Sequence, residues 1–353
     1  MEKKKYGKKA LEIFRSTLQV KGIKFVWKIK PTDSFFWFKS RLEGERFDSI
    51  AWAVQTWVEE LMTKWVKNCV KKFKISNVTI AGGVALNIKA IGKISQIKQV
   101  KKIFVGGSAS DESMALSAGI YLMHKLYKER GEKFGFKKFP QIPNLYLGPS
   151  NDYIQEKKSL KKLNKSKFKI YKKFTLAQVA KFLSKGKVIA RCAGRMEFGQ
   201  RALGNRSILA DPRFLDIKEK INSAIKNRDF WMPFAPVILK KFSKQYLVNP
   251  KNIESPHMTV GFETTNAGYQ KMPAACHPAD KTARAQILKK KDNLELYKLI
   301  EEFHKITGVG ALLNTSFNLH GYPIANTPKD AILILKNSNL DGLVFNNFFI
   351  IKK

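Results

Sequence analysis

Apolar positions in the first third of the chain follow two different periods. Between residues 48 and 73 they recur every three or four positions, which predicts a long amphipathic helix. Short apolar runs at 76–80 and 102–105 each lead into a pair of glycines, and helical spacing resumes over 113–127. Strands that lead through glycines into helices are typical of α/β proteins, so the pattern predicts an α/β fold.

A second alternation of this kind starts near residue 166, after a stretch at 128–165 that is rich in Gly, Pro and Lys. We therefore divide the chain into a first domain at 1–140, a linker at 141–165 and a second domain at 166–353, which suits a length of 353 residues. In the second domain the pattern predicts helices over 175–185, 291–306 and 328–336, and strands over 187–191, 309–314 and 342–351.

The composition indicates a folded protein of a reducing compartment. A hydrophobic content of 44% provides material for packed cores and excludes global disorder. The cysteines, Cys69, Cys192 and Cys276, form no C-x-x-C pair, which disfavours a disulfide framework and a structural zinc site. Because the sequence shows no secretory signal and no apolar span, we expect a cytoplasmic protein without a membrane partner.

The charge is strongly positive and comes mostly from lysine. The 66 Lys and Arg residues oppose 28 Asp and Glu, for a formal net charge of +38, and only 11 of the basic residues are arginine. Such a chain is expected to bind polyanions weakly and in a salt-dependent way. The lysines form no single stripe, so solvated basic faces are a better interpretation than a nucleic-acid footprint.

The arginines, in contrast, concentrate in one region. Four of them lie in the segment 194–213, together with Glu197 and Asp211. A planar guanidinium binds phosphate or carboxylate through two parallel hydrogen bonds, so this segment predicts a site for a small phosphorylated ligand, with the acids holding the guanidinium groups. The alternative is an internal salt-bridge lattice. Six of the 11 arginines fall within 38 residues: Arg191, Arg195, Arg201, Arg206, Arg213 and Arg228.

The glycine pairs of the first domain are a weaker signal. Gly82, Gly83 and Asn87 follow the first predicted strand, and Asp111 follows the second. Glycines at a strand end let a phosphate approach the backbone, and Asp111 could hold a metal ion or orient a nucleotide. Plain turns, with the Asp as a helix cap, explain the same residues.

Two segments of the second domain are also candidates. Asn314 and Ser316 follow an apolar strand, where small polar groups can bind a phosphate or a nucleobase edge, although a polar turn is the alternative. His277 could serve as an acid, as a base or as a hydrogen-bond donor to a phosphate, but a lone loop histidine is more often structural. Its neighbour Cys276 does not become a nucleophile by adjacency alone.

Four motifs together resemble the ATP-dependent carbamoyltransferases of nodulation and antibiotic biosynthesis, over roughly residues 45–353. The most specific is GRMEFGQRALGNRSILADPR at 194–213. The others are RDFWMPFAP at 228–236, NTSFN-x-x-G-x-P-I at 314–324 followed by Thr327-Pro328-x-Asp330, and GGVALN at 82–87.

The resemblance implies a fold, a reaction and roles for residues. The expected fold is α/β, with a partial Hsp70/actin-like (Kae1-like) domain followed by a YrdC-like carbamoyltransferase C-terminal domain. The expected activity forms carbamoyl-adenylate from carbamoyl phosphate and ATP, with Mg²⁺ on the nucleotide, and passes the carbamoyl group to a hydroxyl of a sugar or natural product. The implied catalytic residues are Arg195, Arg201, Arg206 and His277; the implied nucleotide-binding residues are Gly82, Gly83, Asn87, Arg284, Asn314 and Ser316; and the implied metal ligand is Asp111.

One departure from the family pattern leads to an expectation about partners. Family members carry a long N-terminal half with an H-x-x-x-H motif that completes an Fe²⁺-type site with the Asp, and the five histidines here include no such pair. A separate chain could supply that half, as in a split enzyme. The alternatives are a nucleic-acid-associated relative of the tRNA threonylcarbamoylation proteins and a non-catalytic fragment; the GRMEFG and NTSFN motifs favour the small-molecule branch.

Overall fold

The computed structural model describes residues 7–135, 144–226 and 232–353. The chain divides into two compact units, of which the first comprises Met1–Ile80 and Asn87–Phe104 and the second comprises Ala81–Leu86 and Val105–Lys353. Among the described residues, no helix is long and apolar enough to cross a membrane.

This division differs from the expected domains at 1–140 and 166–353 with a linker at 141–165. The second unit begins near residue 105 because the following segment packs within it, as where the Cα of Gly199 approaches Ser108. The described part of the expected linker contains a helix, Tyr153–Leu160, which packs against another helix of the second unit.

Amphipathic helices dominate the first unit. A buried cluster of Ala10, Leu11, Phe14 and Ala53 forms part of its core. The Phe14 ring lies 5.6 Å from the ring of Trp57. The elements are α1 (Lys8–Arg15), β1 (Leu18–Lys21), β2 (Lys24–Trp27), α2 (Ser34–Leu42), α3 (Phe47–Phe73), β3 (Asn77–Ile80), α4 (Ile88–Gln96) and β4 (Lys102–Val105).

The second unit is built on an eight-stranded mixed sheet, with strand order β11-β8-β12-β7-β6-β13-β14-β5. This arrangement confirms the predicted α/β class. The elements are α5 (Met114–Glu129), α6 (Tyr153–Leu160), β5 (Phe168–Tyr171), α7 (Leu176–Leu183), β6 (Ile189–Cys192), β7 (Arg206–Ala210), α8 (Ile217–Ile221), β8 (Ala235–Leu239), α9 (Lys240–Tyr246), β9 (Phe262–Glu263), α10 (Asn266–Lys271), β10 (Thr282–Ala283), β11 (Gln286–Leu288), α11 (Leu294–Thr307), β12 (Ala311–Ser316), α12 (Pro328–Lys336), β13 (Gly342–Val344) and β14 (Phe349–Lys352).

Helices cover both faces of this sheet. Neighbouring residues of a strand point to opposite faces. In β6, Arg191 bonds to Glu295 of α11, whereas Cys192 contacts Asn151, which lies just before α6. Because α7 packs against α11 and α6 packs against α12, the two helix pairs lie on opposite faces.

The last predicted strand, 342–351, is two strands in the structure. β13 and β14 pair antiparallel, with Val344 opposite Phe349. Asn346 and Asn347 form the intervening turn, where their backbone and side-chain N–H groups donate to the carboxylate of Glu156. The apolar run concealed the break because only these two polar residues mark it.

Candidate active site

The loop between β6 and β7 is held in shape by a buried carboxylate. Oε1 of Glu197 accepts hydrogen bonds from the backbone N–H groups of Leu203 (2.7 Å), Asn205 (2.8 Å) and Arg206 (3.3 Å). Glu197 was expected to hold a guanidinium group, but its observed partners are backbone amides. A carboxylate that gathers several N–H groups fixes a loop more firmly than a neutral acceptor does.

Two arginines of the cluster brace this loop from inside the protein. Nη1 of Arg191 donates to the carbonyl of Gly204 at 2.9 Å, and its Nη2 bonds to Glu295 at 2.7 Å. Arg206 is fully buried, and its guanidinium donates to the carbonyls of Asn205, Gly194 and Asn326, among others. This placement supports a positioning role for Arg206 over direct contact with a ligand.

Two further arginines also donate their hydrogen bonds to oxygens of the protein. Arg213 forms a two-pronged pair with the buried carboxylate of Asp211, with Nη2 and Oδ2 2.7 Å apart, as expected for an acid that holds a guanidinium. Arg195 is exposed, and its guanidinium donates to the carbonyls of Leu147 and Gly148. The salt-bridge alternative therefore explains part of the cluster.

Arg201 differs from these neighbours. Its side chain is half-buried, and it makes no hydrogen bond or ion pair with any other described residue. Burial lowers the pKa of the guanidinium, and no carboxylate offsets this effect. Removing a cation from water without a partner is costly, so the position suits an anion that arrives from outside. The sixth arginine, Arg228, lies outside the described residues, as do residues 229–231 of the 228–236 motif.

The polar loop after β12 lies beside the arginine loop, because β12 pairs with β7. Asn314 is buried, and its Nδ2 donates to the carbonyl of Ala202 at 3.1 Å, while its Oδ1 has no partner among the described residues. The hydroxyl of Ser316 donates to Oδ1 of Asn318 at 2.7 Å. Asn314, which lies within β12, therefore links this strand directly to the arginine loop.

Sequence reasoning missed Lys226, whose ammonium group organises this second loop. Nζ of Lys226 donates to the carbonyl of Ser316 at 2.5 Å and to Oδ1 of Asn318 at 2.6 Å, and the side chain is almost fully buried. The residue ends a π-helical turn at Asn222–Lys226, a rare conformation that often marks functional sites. The available signal was a lysine directly after Ile225, in a stretch whose apolar residues recur at helical spacing.

His277 and Arg284 lie on either side of the short strand β10. Nδ1 of His277 faces the backbone N–H groups of Ala279 and Asp280, and it lies 3.2 Å from Oδ1 of Asp280. The neighbouring Cys276 is buried, which raises the pKa of its thiol to about 12. The thiol therefore stays protonated at neutral pH.

The glycine-motif residues are divided between the two units. Gly82 and Gly83 belong to the second unit, where the N–H of Gly82 donates to the carbonyl of Ala109 at 2.7 Å. Asn87 belongs to the first, where its Oδ1 caps α4 and its amide pairs with the side chain of Gln55. The positive φ of Gly82 (97°) explains one of the glycines as a turn residue.

Asp111 begins a short 3₁₀ turn and is exposed. Within the described ranges, no group of three His, Cys, Asp or Glu side chains comes together as a metal site. The residues present around Asp111 therefore do not fit the implied iron-type centre by themselves, and we derive no step through such a metal.

Comparison with protein families matches both parts of the chain. The model described as carbamoyltransferase N-terminus matches residues 16–120, and the model described as carbamoyltransferase C-terminus matches residues 180–352. The chain belongs to the carbamoyltransferase family, which confirms the resemblance predicted from its motifs.

Individual relatives agree with this assignment. The nodulation protein NolO of Bradyrhizobium diazoefficiens is 32% identical over 85% of this chain and 54% of its own length. The Methanocaldococcus jannaschii proteins MJ1058 and MJ1051 are each 34% identical, over 90% and 98% of this chain and 50% and 64% of their own lengths. The chain thus spans between half and two-thirds of the length of these relatives.

Among solved structures, full-length HypF in its phosphate- and nucleotide-bound form is similar to this chain, and the match covers 52% of this chain and 22% of the HypF chain. The sequence identity is 16% and the TM-score is 0.37, which is below the level that indicates a shared fold. The Kae1-like and YrdC-like assignments stay predictions.

Proposed function

We propose that the second unit activates a carbamoyl group with ATP, and that the whole enzyme transfers this group to a hydroxyl of a small-molecule acceptor. Carbamoyl phosphate is the donor, and carbamoyl-adenylate is the activated species. Family membership supports a transferase. The adenylate chemistry, the nucleotide and the class of acceptor are our inference.

The observation that carries this proposal is that Arg201 has no hydrogen-bond or ion-pair partner among the described residues. Five arginines of the cluster are described, and the other four bond to protein oxygens around the same loop. A loop braced this thoroughly holds Arg201 in place before a ligand arrives. Pre-organised donors that face developing negative charge give the largest single contribution to many enzymatic rates.

The proposed activation has a simple balance of bonds. Water cleaves the bond between the carbonyl carbon and the bridging oxygen of carbamoyl phosphate, which gives carbamate and inorganic phosphate. A carbamate oxygen then attacks the α-phosphorus of ATP, and the bond to the β-phosphate breaks so that pyrophosphate leaves. Negative charge accumulates on phosphate oxygens in this step, where the guanidinium of Arg201 and the Mg²⁺ that accompanies ATP would stabilise it.

The loop after β12 is the second part of the proposed site. Lys226 and Ser316 are tied together through Asn318, and Asn314 ties the same strand to the arginine loop. These contacts keep small polar groups beside Arg201's loop, where they can bind a nucleobase edge or a phosphate. Arg195, His277 and Arg284 remain candidates for contacts with the nucleotide.

Transfer to the acceptor is a separate proposal, because the chain spans only part of its relatives. We propose that Asp111 contributes to the acceptor site only when the remaining ligands come from residues outside this chain, whether upstream or in a separate protein. A nucleic-acid substrate is less well supported, because the positive charge is spread over lysines in nearly every segment.

The test is ATP–pyrophosphate exchange on the purified chain, with and without carbamoyl phosphate. We expect exchange that requires carbamoyl phosphate and falls at least about 100-fold in Arg201→Met. The matched control is Arg130→Met, which removes an exposed arginine at the end of α5 and should leave exchange within about twofold of wild type. Exchange without carbamoyl phosphate, or an Arg201→Met variant as active as the control, would contradict the proposal.

A further inference from the structure

A groove of about 720 Å³ lies at the β5 edge of the sheet. Its floor is apolar: Phe168 and Phe348 are buried, and Leu160 and Ile170 are partly buried. Its rim consists of lysines, all of them exposed, and none of the described residues that line it is acidic. These lysines are Lys157, Lys161, Lys165, Lys169, Lys172 and Lys353.

Positive charge is concentrated around this lysine groove, because six lysines and no described acidic residue line it. Six ammonium groups around one concave surface repel each other, so an anionic occupant would relieve the repulsion. Lysines carry a compact charge without the planar fork of arginine, so they impose no strict geometry on the anion. The rim therefore suits several separate carboxylates better than one bidentate phosphate.

The wall formed by β5 adds a second feature. In the described sheet β5 pairs with β14 on one side only, and although the N–H of Phe168 already donates to the carbonyl of Asn164, the rest of its other side has no strand partner. Edge lysines discourage pairing with another copy of the same basic chain. They do not discourage an acidic strand, and the addition of an extended peptide to an open sheet edge is a common mode of recognition.

The floor argues against a nucleic acid as the occupant. Single-stranded nucleic acids bind through exposed aromatic rings on which successive bases stack. Here the rings of Phe168 and Phe348 are 6% and 2% exposed, and among the described residues of the groove only Tyr153 has an aromatic side chain open to solvent. An apolar floor with one available ring suits aliphatic side chains better than a row of bases.

We propose that the lysine groove is a docking site for an extended acidic peptide segment of a partner protein. The segment pairs with the free side of β5. Side chains alternate between the two sides of a strand, so aliphatic residues on one side cover the floor of the groove while carboxylates meet the lysine rim. This site is independent of the proposed carbamoyl chemistry.

Fluorescence anisotropy on the full chain tests the proposal, at an ionic strength of about 0.15 M. The probe is a labelled peptide of about eight residues that alternates Glu and Val, a length typical of one strand. The comparison ligands are a glutamate-only peptide of the same charge and a short single-stranded oligouridylate. The groove variant is Lys157→Glu/Lys161→Glu/Lys169→Glu.

The matched control is Lys244→Glu/Lys290→Glu/Lys298→Glu, which changes the net charge equally. These exposed lysines lie on α9, after β11 and on α11, at the other edge or on the opposite face of the sheet. Circular dichroism should show that both variants fold as the wild type does.

We expect the alternating peptide to bind at least about tenfold more tightly than the glutamate-only peptide, because only it has aliphatic side chains to cover the floor. The groove variant should lose at least about tenfold in affinity and the control less than about twofold. Bound peptide should also slow amide hydrogen exchange across Phe168–Tyr171. An equal loss of peptide affinity in both variants would show that charge attraction alone drives binding. Oligouridylate that binds more tightly than the alternating peptide, and that loses affinity in the groove variant but not in the control, would show a nucleic-acid site. Either result would overturn the proposal.

Discussion

At the scale of single residues, the arginine cluster shows how one side-chain type performs two tasks. Arg206 and Arg191 are buried and donate to backbone carbonyls or a carboxylate, so their function is to hold a loop. Arg201 lies in that loop without a partner in the described structure. Phosphate binding and loop bracing both need the same planar donor, so the residue type alone does not separate them.

Arg206→Met should destabilise the protein strongly. The substitution removes all the hydrogen bonds of a fully buried guanidinium and leaves several carbonyl oxygens unpaired. We expect the free energy of unfolding to fall by about 3 kcal/mol, measured by urea denaturation. Arg195→Met is the comparison, because its exposed guanidinium can be replaced by water at a cost of under about 1 kcal/mol. Similar losses in the two variants would contradict the positioning role of Arg206.

Asp341 should make stability depend on acid pH. Burial alone would raise the pKa of this carboxyl group, but hydrogen bonds from Lys220, the backbone N–H of Val188 and Lys187 outweigh it and lower the pKa below the ordinary 3.8. A lowered folded-state pKa means that the ionised carboxylate stabilises the fold above the unfolded-state value. That stabilisation is lost as the pH falls through the folded-state value.

The matching variant is Asp341→Asn. At neutral pH we expect it to lower the free energy of unfolding by about 1 kcal/mol, a modest value because solvent screens a half-buried group. The difference from wild type should shrink as the pH falls below about 4. Urea denaturation at several pH values measures this difference in the free energy of unfolding. A difference that stays constant or grows toward acid pH would contradict a lowered pKa for Asp341.

At the scale of secondary-structure elements, helix boundaries were predicted more accurately than sheet connections. Helix 328–336 was predicted at the observed residues, because Pro328 takes the first turn and Thr327 and Asp330 form a capping box. The strand at 342–351 was predicted without its turn, which depends on a carboxylate nearly 200 residues earlier in the chain. Local signals set element ends, whereas pairing partners come from distant segments.

The same limit applies to the candidate site. The motif at 194–213 predicted a cluster of arginines in one loop, but Arg195 and Arg206 of that loop engage backbone carbonyls of residues 147, 148, 194 and 326, among others. Any residue type can supply a carbonyl, so these contacts leave no trace in the sequence. Lys226 was missed for a related reason, since its partners lie 90 residues further along the chain.

Glu156 connects helix α6 to the turn after β13, and through it to the arginine loop. Its two oxygens accept four hydrogen bonds from Asn346 and Asn347, and Oδ1 of Asn346 accepts from the N–H of Gly194 at 2.8 Å. Glu156→Gln should therefore cost about 2 kcal/mol in the free energy of unfolding and also slow ATP–pyrophosphate exchange. Lys158→Gln, an exposed neighbour on the same helix, should change neither. A wild-type rate of ATP–pyrophosphate exchange in Glu156→Gln would contradict the inference that this turn positions the arginine loop.

At the scale of the whole molecule, the two units differ in how completely they bury their apolar residues. The second unit places an eight-stranded sheet between two pairs of helices, with fully buried strands at β6, β7 and β8. The first unit leaves large apolar side chains in the open, such as Phe35 and Phe47 at 68% and 82% exposed. Large exposed apolar patches mark surfaces that pack against something else.

This contrast predicts different behaviour for the two halves as separate fragments. Residues 105–353 contain every strand of the large sheet and all of the second unit except Ala81–Leu86, so they should unfold cooperatively in urea. Residues 1–140 should show a broad transition and bind a hydrophobic dye, because their cores are small and much apolar surface stays exposed. A sharp two-state transition for 1–140 would mean that this half is self-sufficient, and the proposed need for residues outside this chain would then rest on the acceptor site alone.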